Sequence, residues 1–152
     1  TTEIYTLSLH DALPILYIVA SPHYLKRMGT PTQAKQLLQH DLIGFTRPIH
    51  INQWPIKVDD EYFFAQAKIK ASSGETVRQL CLRGQGIARL SEFEIWQDLN
   101  EGRLVALFED QIEHSYQSIH AVYYQQEHLA QRVRLFIEFL SEQLSQGFSV
   151  CQ

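Results

Sequence analysis

Strand-like and helix-like stretches alternate along this chain, which predicts an α/β fold with a mostly parallel sheet. Three observations carry the prediction. Leu16 to Ala20 is an unbroken apolar run, the pattern of a strand buried on both faces. Hydroxyl residues repeatedly precede apolar residues spaced i, i+3, i+4, the start and inward face of an amphipathic helix. Glycines then close those stripes just before the next apolar run.

The elements follow in order. Ser21-Pro22 supplies an N-cap and a proline at the first helical position, and Gly29 closes that short helix. Thr30-Pro31-Thr32-Gln33 repeats the device as a capping box, with Ala34, Leu37 and Leu38 facing inward. Asp41 to Thr46 is the next strand. Trp54 to Val58 and Tyr62 to Ile69 form a hairpin around the solvated acidic turn Asp59-Asp60-Glu61. Lys68 to Ala71 closes a strand, after which Ser72 caps a helix in a second box with Glu75. Val77, Leu80 and Cys81 are the apolar stripe of that helix. Gly84 ends it in a left-handed conformation, and Gly86 opens the strand Ile87 to Leu90 in a confined place. Ser91 and Glu94 cap a further helix bearing Ile95, Trp96 and Leu99, which Gly102 ends. Arg103 to Phe108 and Gln117 to Tyr124 read as strands. Leu129, Val133, Phe136, Ile137, Leu140 and Leu144 mark a last amphipathic helix, and the tail Gln146 to Gln152 is expected to fray.

Composition narrows the function. The formal net charge is −4 and no basic run occurs, so the chain lacks the electrostatic footprint of a nucleic-acid binder. It has no apolar run long enough to span a bilayer. Cys81 and Cys151 are too few for a disulfide framework, and both are expected as reduced thiols. The 7 histidines show no spacing that puts two ligands on one helix face, so no metal site is expected. No glycine-rich phosphate loop, paired acid–base carboxylates or activated nucleophile stands out, and neither an enzyme nor a cofactor is expected.

The stretch from Ala71 to Leu90, with its strand end, polar turn, short helix, glycine break and buried strand, resembles the effector-binding domain of LysR-type transcriptional regulators. The resemblance runs from Leu16 to about Leu144. Ile18 to Leu25 with Gly29-Thr-Pro31, His40 to Phe45 with Trp54, Glu101 to Leu107, Ile119 to Tyr124 and Arg132 to Leu140 carry it further. Arg89 and Ser91 depart from it, standing where many members have an apolar residue and a proline; they mark a subgroup with an altered pocket rim. The resemblance implies a periplasmic-binding-protein-like (type 2) fold of two Rossmann-like subdomains joined by crossover strands. Residues 16–115 would be the complete second subdomain with the crossovers, residues 116–145 the final strand and helix of the first, and residues 146–152 a tail. It also implies a small anionic effector, a homodimer or tetramer in the intact parent, DNA contact only through a winged helix-turn-helix domain outside this sequence, and a cytoplasmic, membrane-free protein. The alternative is a solute-binding receptor of a transporter on the same two-lobed fold, which an upstream export signal would distinguish.

Candidate site residues cluster where the strands end. Ser72, Ser73, Gly74 and Thr76 surround a helix N-terminus, whose free N–H groups and positive dipole end suit a small anion. For Ser72 capping alone is the better reading, which leaves Ser73 and Thr76 to reach a carboxylate. Glu75 would repel an anion, so it belongs in the capping box. Phe45, Thr46 and Arg47 end a strand at the same edge, Arg47 as a charge-assisted partner or as a solvated loop arginine. The family frame puts Ser21 and Tyr116 near the crossovers, with Tyr116 alternatively in the core.

Residues 1–15 read differently. Thr1 to Ile15 resembles one reading frame of a common sequencing adapter over its whole length, so the segment is set aside from fold reasoning and the genuine chain is expected to enter at Leu16, truncated. With most of the first subdomain absent, the six large side chains of the last helix lack their partner. Each contributes roughly 1.5–3 kcal/mol when buried, so their exposure forfeits an amount comparable to the ~5–15 kcal/mol of a whole domain. The chain is expected to be sticky at this end.

Overall fold

A computed structural model describes residues 3–8, 15–113, 120–125 and 131–145. They fall into two compact units, one within residues 15–115 and one combining residues 1–14 with 116–152. In chain order the elements are β1 (Glu3–Ser8), β2 (Leu16–Ala20), α1 (Pro22–Met28), β3 (Leu42–Phe45), β4 (Gln53–Val58), β5 (Glu61–Phe64), β6 (Ile69–Ala71), α2 (Gly74–Leu82), β7 (Ile87–Ser91), α3 (Glu92–Asn100), β8 (Val105–Leu107), β9 (His120–Gln125) and α4 (Gln131–Ser145). Short 3-10 helices cover Ala34–Gln39 and Ile49–Asn52.

The larger unit is built on a five-stranded sheet in the order β6-β3-β7-β2-β8. β6, β3 and β7 are parallel, whereas β2 is antiparallel to both of its neighbours. Four of the five strands therefore run in one direction, as the alternation predicts, and β2 is the reversed one. A strand buried on both faces reads as the same apolar run in either direction, so its periodicity is blind to polarity.

Alternation along each strand feeds two cores. Ile18, Ala20, Leu42 and Ile87 face Tyr24, Leu37 and the hairpin residues Trp54, Ile56 and Phe63. Val19, Ile43, Ala88 and Leu90 face Val77 and Cys81 of α2, Ile95 of α3, and Leu104. Cys81 points its thiol at the backbone oxygens of Val19 (3.4 Å) and Gly86 (3.6 Å), and burial pushes its pKa up to about 12. A thiol held protonated in this way is no nucleophile.

Several local devices match the sequence reading. Ser21 Oγ accepts from the Tyr24 N–H (3.4 Å), and Gly29, Gly84 and Gly102 close their helices with φ of 85°, 70° and 68°. The Asp59-Asp60 turn between β4 and β5 is exposed, with φ of 52° and 68°, the paired left-handed residues of a two-residue hairpin. Others are corrected. The box after Gly29 is shifted, because the Gln36 side chain reaches back to the N–H groups of Thr32 (2.6 Å) and Gln33 (3.0 Å). Leu38 is exposed: with three residues per 3-10 turn, Ala34 and Leu37 share the inner face and Leu38 falls off it. Ile69 leaves the hairpin to pair in the main sheet, opposite Ile43.

Gly86 sits in the confined place expected of it. A Cβ there would stand 2.4 Å from the Asp41 carbonyl oxygen, which also accepts the Ile87 N–H at 2.9 Å. Gly86→Ala should therefore cost about 1–3 kcal/mol, the usual range for overpacking, read as a lower urea midpoint at unchanged m-value. An unchanged midpoint would show that the β7 entrance gives way freely.

In the smaller unit β1 pairs antiparallel with β9 in register from Glu3 opposite Gln125 to Ser8 opposite His120. The segment set aside in the sequence reading thus contains a strand; Ile4-Tyr5-Thr6 is a run of β-formers. Helix α4 leaves Leu135, Phe136 and Phe139 more than half exposed, at 56%, 59% and 55%. Self-association at micromolar concentration is the expected result in sedimentation velocity; a monodisperse, sharply melting monomer would overturn it. Leu129 and the tail lie outside the described residues.

Candidate functional site

The parallel strands β3, β6 and β7 end at one edge of the sheet, which collects Phe45-Thr46, Ala71-Ser72 and Leu90-Ser91. Adjacent strand ends are tied there, since Thr46 N donates to Ala71 O at 2.9 Å. Asn52, 3% exposed, clamps the neighbouring backbone: its Oδ1 accepts from Phe45 N (2.8 Å) and its Nδ2 donates to Phe45 O (2.9 Å). Gly44 makes room for it, because a Cβ there would lie 2.6 Å from Asn52 Oδ1. The sequence reading missed Asn52, since an asparagine before a strand signals a turn as readily as a buried clamp. Thr46 and Arg47 are exposed just beyond the clamp.

At the start of α2 the capping residue is Ser73, not Ser72. Ser73 Oγ accepts from Thr76 N at 3.3 Å and shares a 2.9 Å hydrogen bond with Thr76 Oγ1. All three residues are exposed, but the Ser73 and Thr76 hydroxyls are engaged with each other. With the cap one residue later, Glu75 falls outside the box position. It accepts instead from Gln79 (2.8 Å) and Arg78 (3.1 Å), and the Gln79 bond with the Arg78 charge holds its carboxyl below the ordinary value.

A second carboxylate, Glu94, stands over this helix start. It caps α3 as expected, accepting from Ser91 N at 3.2 Å. Its Oε1 also lies 1.7 Å from where a Cβ on Gly74 would be, so the missing side chain of Gly74 is what admits it. Burial raises the Glu94 pKa, with the nearby Glu75 charge adding to the effect and Ser91 N–H and the two arginines Arg89 and Arg78 opposing it. The N–H groups of α2 thus face an acidic neighbour.

α2 and α3 are pinned by Asp98, which is fully buried. Arg78 donates to it through Nε (2.5 Å) and Nη2 (3.0 Å), and Arg103 through Nη2 (3.0 Å). A lone aspartate on an otherwise apolar helix stripe is the signal that would have found it.

The structure places Ser21 elsewhere. β2 is antiparallel to β7, so Ser21 lies at the opposite edge, buried beside Gly84 and committed to capping α1. Tyr116 lies outside the described residues. Among the described residues no group of three His, Cys, Asp or Glu is placed to hold a metal ion, and no helix is long and apolar enough to cross a membrane.

Comparison with known proteins matches these features to a family. A profile of the LysR substrate binding domain matches residues 15–145. The HTH-type transcriptional regulator CrgA of Neisseria meningitidis serogroup C is 38% identical over 135 residues, 88% of this chain and 44% of that protein. The HTH-type transcriptional activator TtdR of Escherichia coli (strain UTI89 / UPEC) is 27% identical over 149 residues, 89% of this chain and 47% of that protein. The chain thus spans less than half the length of these curated relatives. Among solved structures, the regulatory domain of CrgA from Neisseria meningitidis superposes with a TM-score of 0.86 at 34% identity, covering 93% of this chain and 69% of that one. The fold is accordingly periplasmic-binding-protein-like, of type 2, and the relatives are transcriptional regulators, not enzymes. This chain belongs to the LysR substrate-binding domain family.

Proposed function

We propose that this chain is the ligand-sensing part of a LysR-type transcriptional regulator. It takes a small anionic effector at the edge where β3 and β6 end and transmits the binding to a winged helix-turn-helix domain outside this sequence. The observation that supports the reading is that Thr46-Arg47 and Ser72 follow the paired ends of the parallel strands β3 and β6, beside the Asn52 clamp on Phe45. Hydroxyls and a guanidinium on the C-terminal edge of parallel strands are the usual recognition set for a small acid in an open α/β sheet. An effector acts by binding one arrangement of the two subdomains more tightly than the other; tight binding alone shifts nothing. The parent is read as a cytoplasmic homodimer or tetramer that meets DNA only through its other domain. Family membership favours this reading over a transporter receptor.

Because Ser73 and Thr76 hold the helix cap, the test falls on Thr46 and Ser72. In the intact regulator, Thr46→Val with Ser72→Ala should abolish the effector response of a promoter reporter while promoter binding persists in a gel shift. An unaltered response removes this edge from the site. We also read residues 1–15 as adapter-derived, supported by a family match that starts at residue 15; resequencing the source locus across the Ile15–Leu16 junction decides it.

A further inference from the structure

The β4–β5 hairpin covers the sheet face on which Arg89 stands, and a cavity of about 460 Å³ opens there, lined by His50, Gln53, Trp54, Tyr62, Arg89 and Glu113. Arg89 is opposite Ile18 in the register of β7 and β2, a position where the alternation of the strand calls for an apolar residue. Its Nε is buried without a hydrogen-bond partner, and among the described residues the side chain has no ion pair. The carboxylate in the cavity wall does not compensate it. Glu113 is taken by Lys57, whose Nζ lies 2.6 Å from Oε1, and by the Tyr62 hydroxyl, which donates to Oε2. Burial lowers the Arg89 pKa, against the pull of Glu94, as expected of a cation short of partners.

We propose that Arg89 anchors the carboxylate of a small organic acid in this cavity, the hairpin side of the sensing site. The inference rests on the effector-sensing reading and adds the ligand class to it. A guanidinium presents paired donors that match the two oxygens of a carboxylate, and an arginine held in an apolar position without a partner is preorganised for one. Trp54 and Tyr62 line the same space and suit a ring-sized apolar body behind the acid group. An inorganic anion shares the charge but lacks that body.

The probes are benzoate, its neutral isostere benzamide, and sulfate, titrated into the full chain at constant ionic strength and followed by calorimetry. Benzoate should bind saturably, with benzamide and sulfate weaker. Arg89→Gln should weaken benzoate by at least about tenfold, the effect of one lost charge-assisted pair, while Arg83→Gln, an exposed arginine at the far end of α2, leaves it unchanged. Arg89→Gln should melt no lower than the parent, because its Nε bonds nothing that is lost, so weaker binding is not unfolding. Saturable benzoate binding that survives Arg89→Gln overturns the proposal, as does the absence of benzoate binding to the parent chain. If sulfate binds as well as benzoate, the carboxylate class falls. If Arg47→Gln removes the binding and Arg89→Gln does not, the assignment of Arg89 falls while the sensing edge at Thr46 and Arg47 stands; that edge fails only by the promoter assay.

Discussion

Asp98→Ala is expected to lower the stability of the larger unit by about 3–5 kcal/mol, the cost of breaking a buried ion pair from one side. Asp98 is 0% exposed and receives two bonds from Arg78 and one from Arg103. Its removal strands the Arg78 guanidinium, whose side chain is only 17% exposed, with Glu75 as its remaining partner. That partner is 65% exposed and repays little of the lost desolvation. The hydrogen bond to Asp98 is also the leading cause of the raised Arg78 pKa. Asp98→Asn keeps an acceptor and the shape, and should lose less. Guanidinium unfolding followed by Trp96 emission on α3 measures both. A loss below about 1 kcal/mol for the alanine variant would mean that water replaces the carboxylate and that the pair does not pin α2 to α3.

Trp54→Ala should cost a similar amount, about 3–5 kcal/mol, for a different reason. Trp54 is 1% exposed, fills the space between the hairpin and the sheet, and packs edge-on against Phe63 with centroids 5.6 Å apart. Truncation leaves a void next to the cavity already present, and the two merge unless the hairpin collapses onto Ile18 and Ile87. Phe64, on the same hairpin but 44% exposed, is the control, and Phe64→Ala should stay within about 0.5 kcal/mol. Melting followed by far-ultraviolet circular dichroism separates them. Equal losses for Trp54 and Phe64 would show that the hairpin contributes as a whole and that the indole is no anchor.

Much of the candidate edge was legible in the sequence, though not its wiring. Thr46-Arg47 and Ser72 follow adjacent strand ends, because the apolar patterns of β3 and β6 stop just before them. The cap of α2 was misplaced by one residue, since Ser72 and Ser73 are equivalent candidates locally and only the packing of Gly74 under Glu94 separates them. Ser21, expected near the crossovers from the family frame, lies at the far edge because β2 runs antiparallel to β7, a direction that leaves no mark in the apolar run. Asn52, Asp98 and Arg89 were missed or left as rim residues, each being a polar side chain whose role depends on a partner, or the lack of one, distant in sequence.

The amino-acid sequence by itself determined the elements, their caps and glycine stops, the two faces of each strand, and a pattern specific enough to resemble the right family. These follow from interactions within a few residues and from the period of apolar burial, both written locally in the chain. Only the tertiary structure decided the direction of β2, the clamp on Phe45, the acidic neighbour of the α2 start, and the cavity beside which, among the described residues, the Arg89 Nε is buried without a hydrogen-bond partner. Burial pattern says that a side chain is inside but not what it meets there. For charged and polar groups the partner, not the burial, sets both the energy and the chemistry.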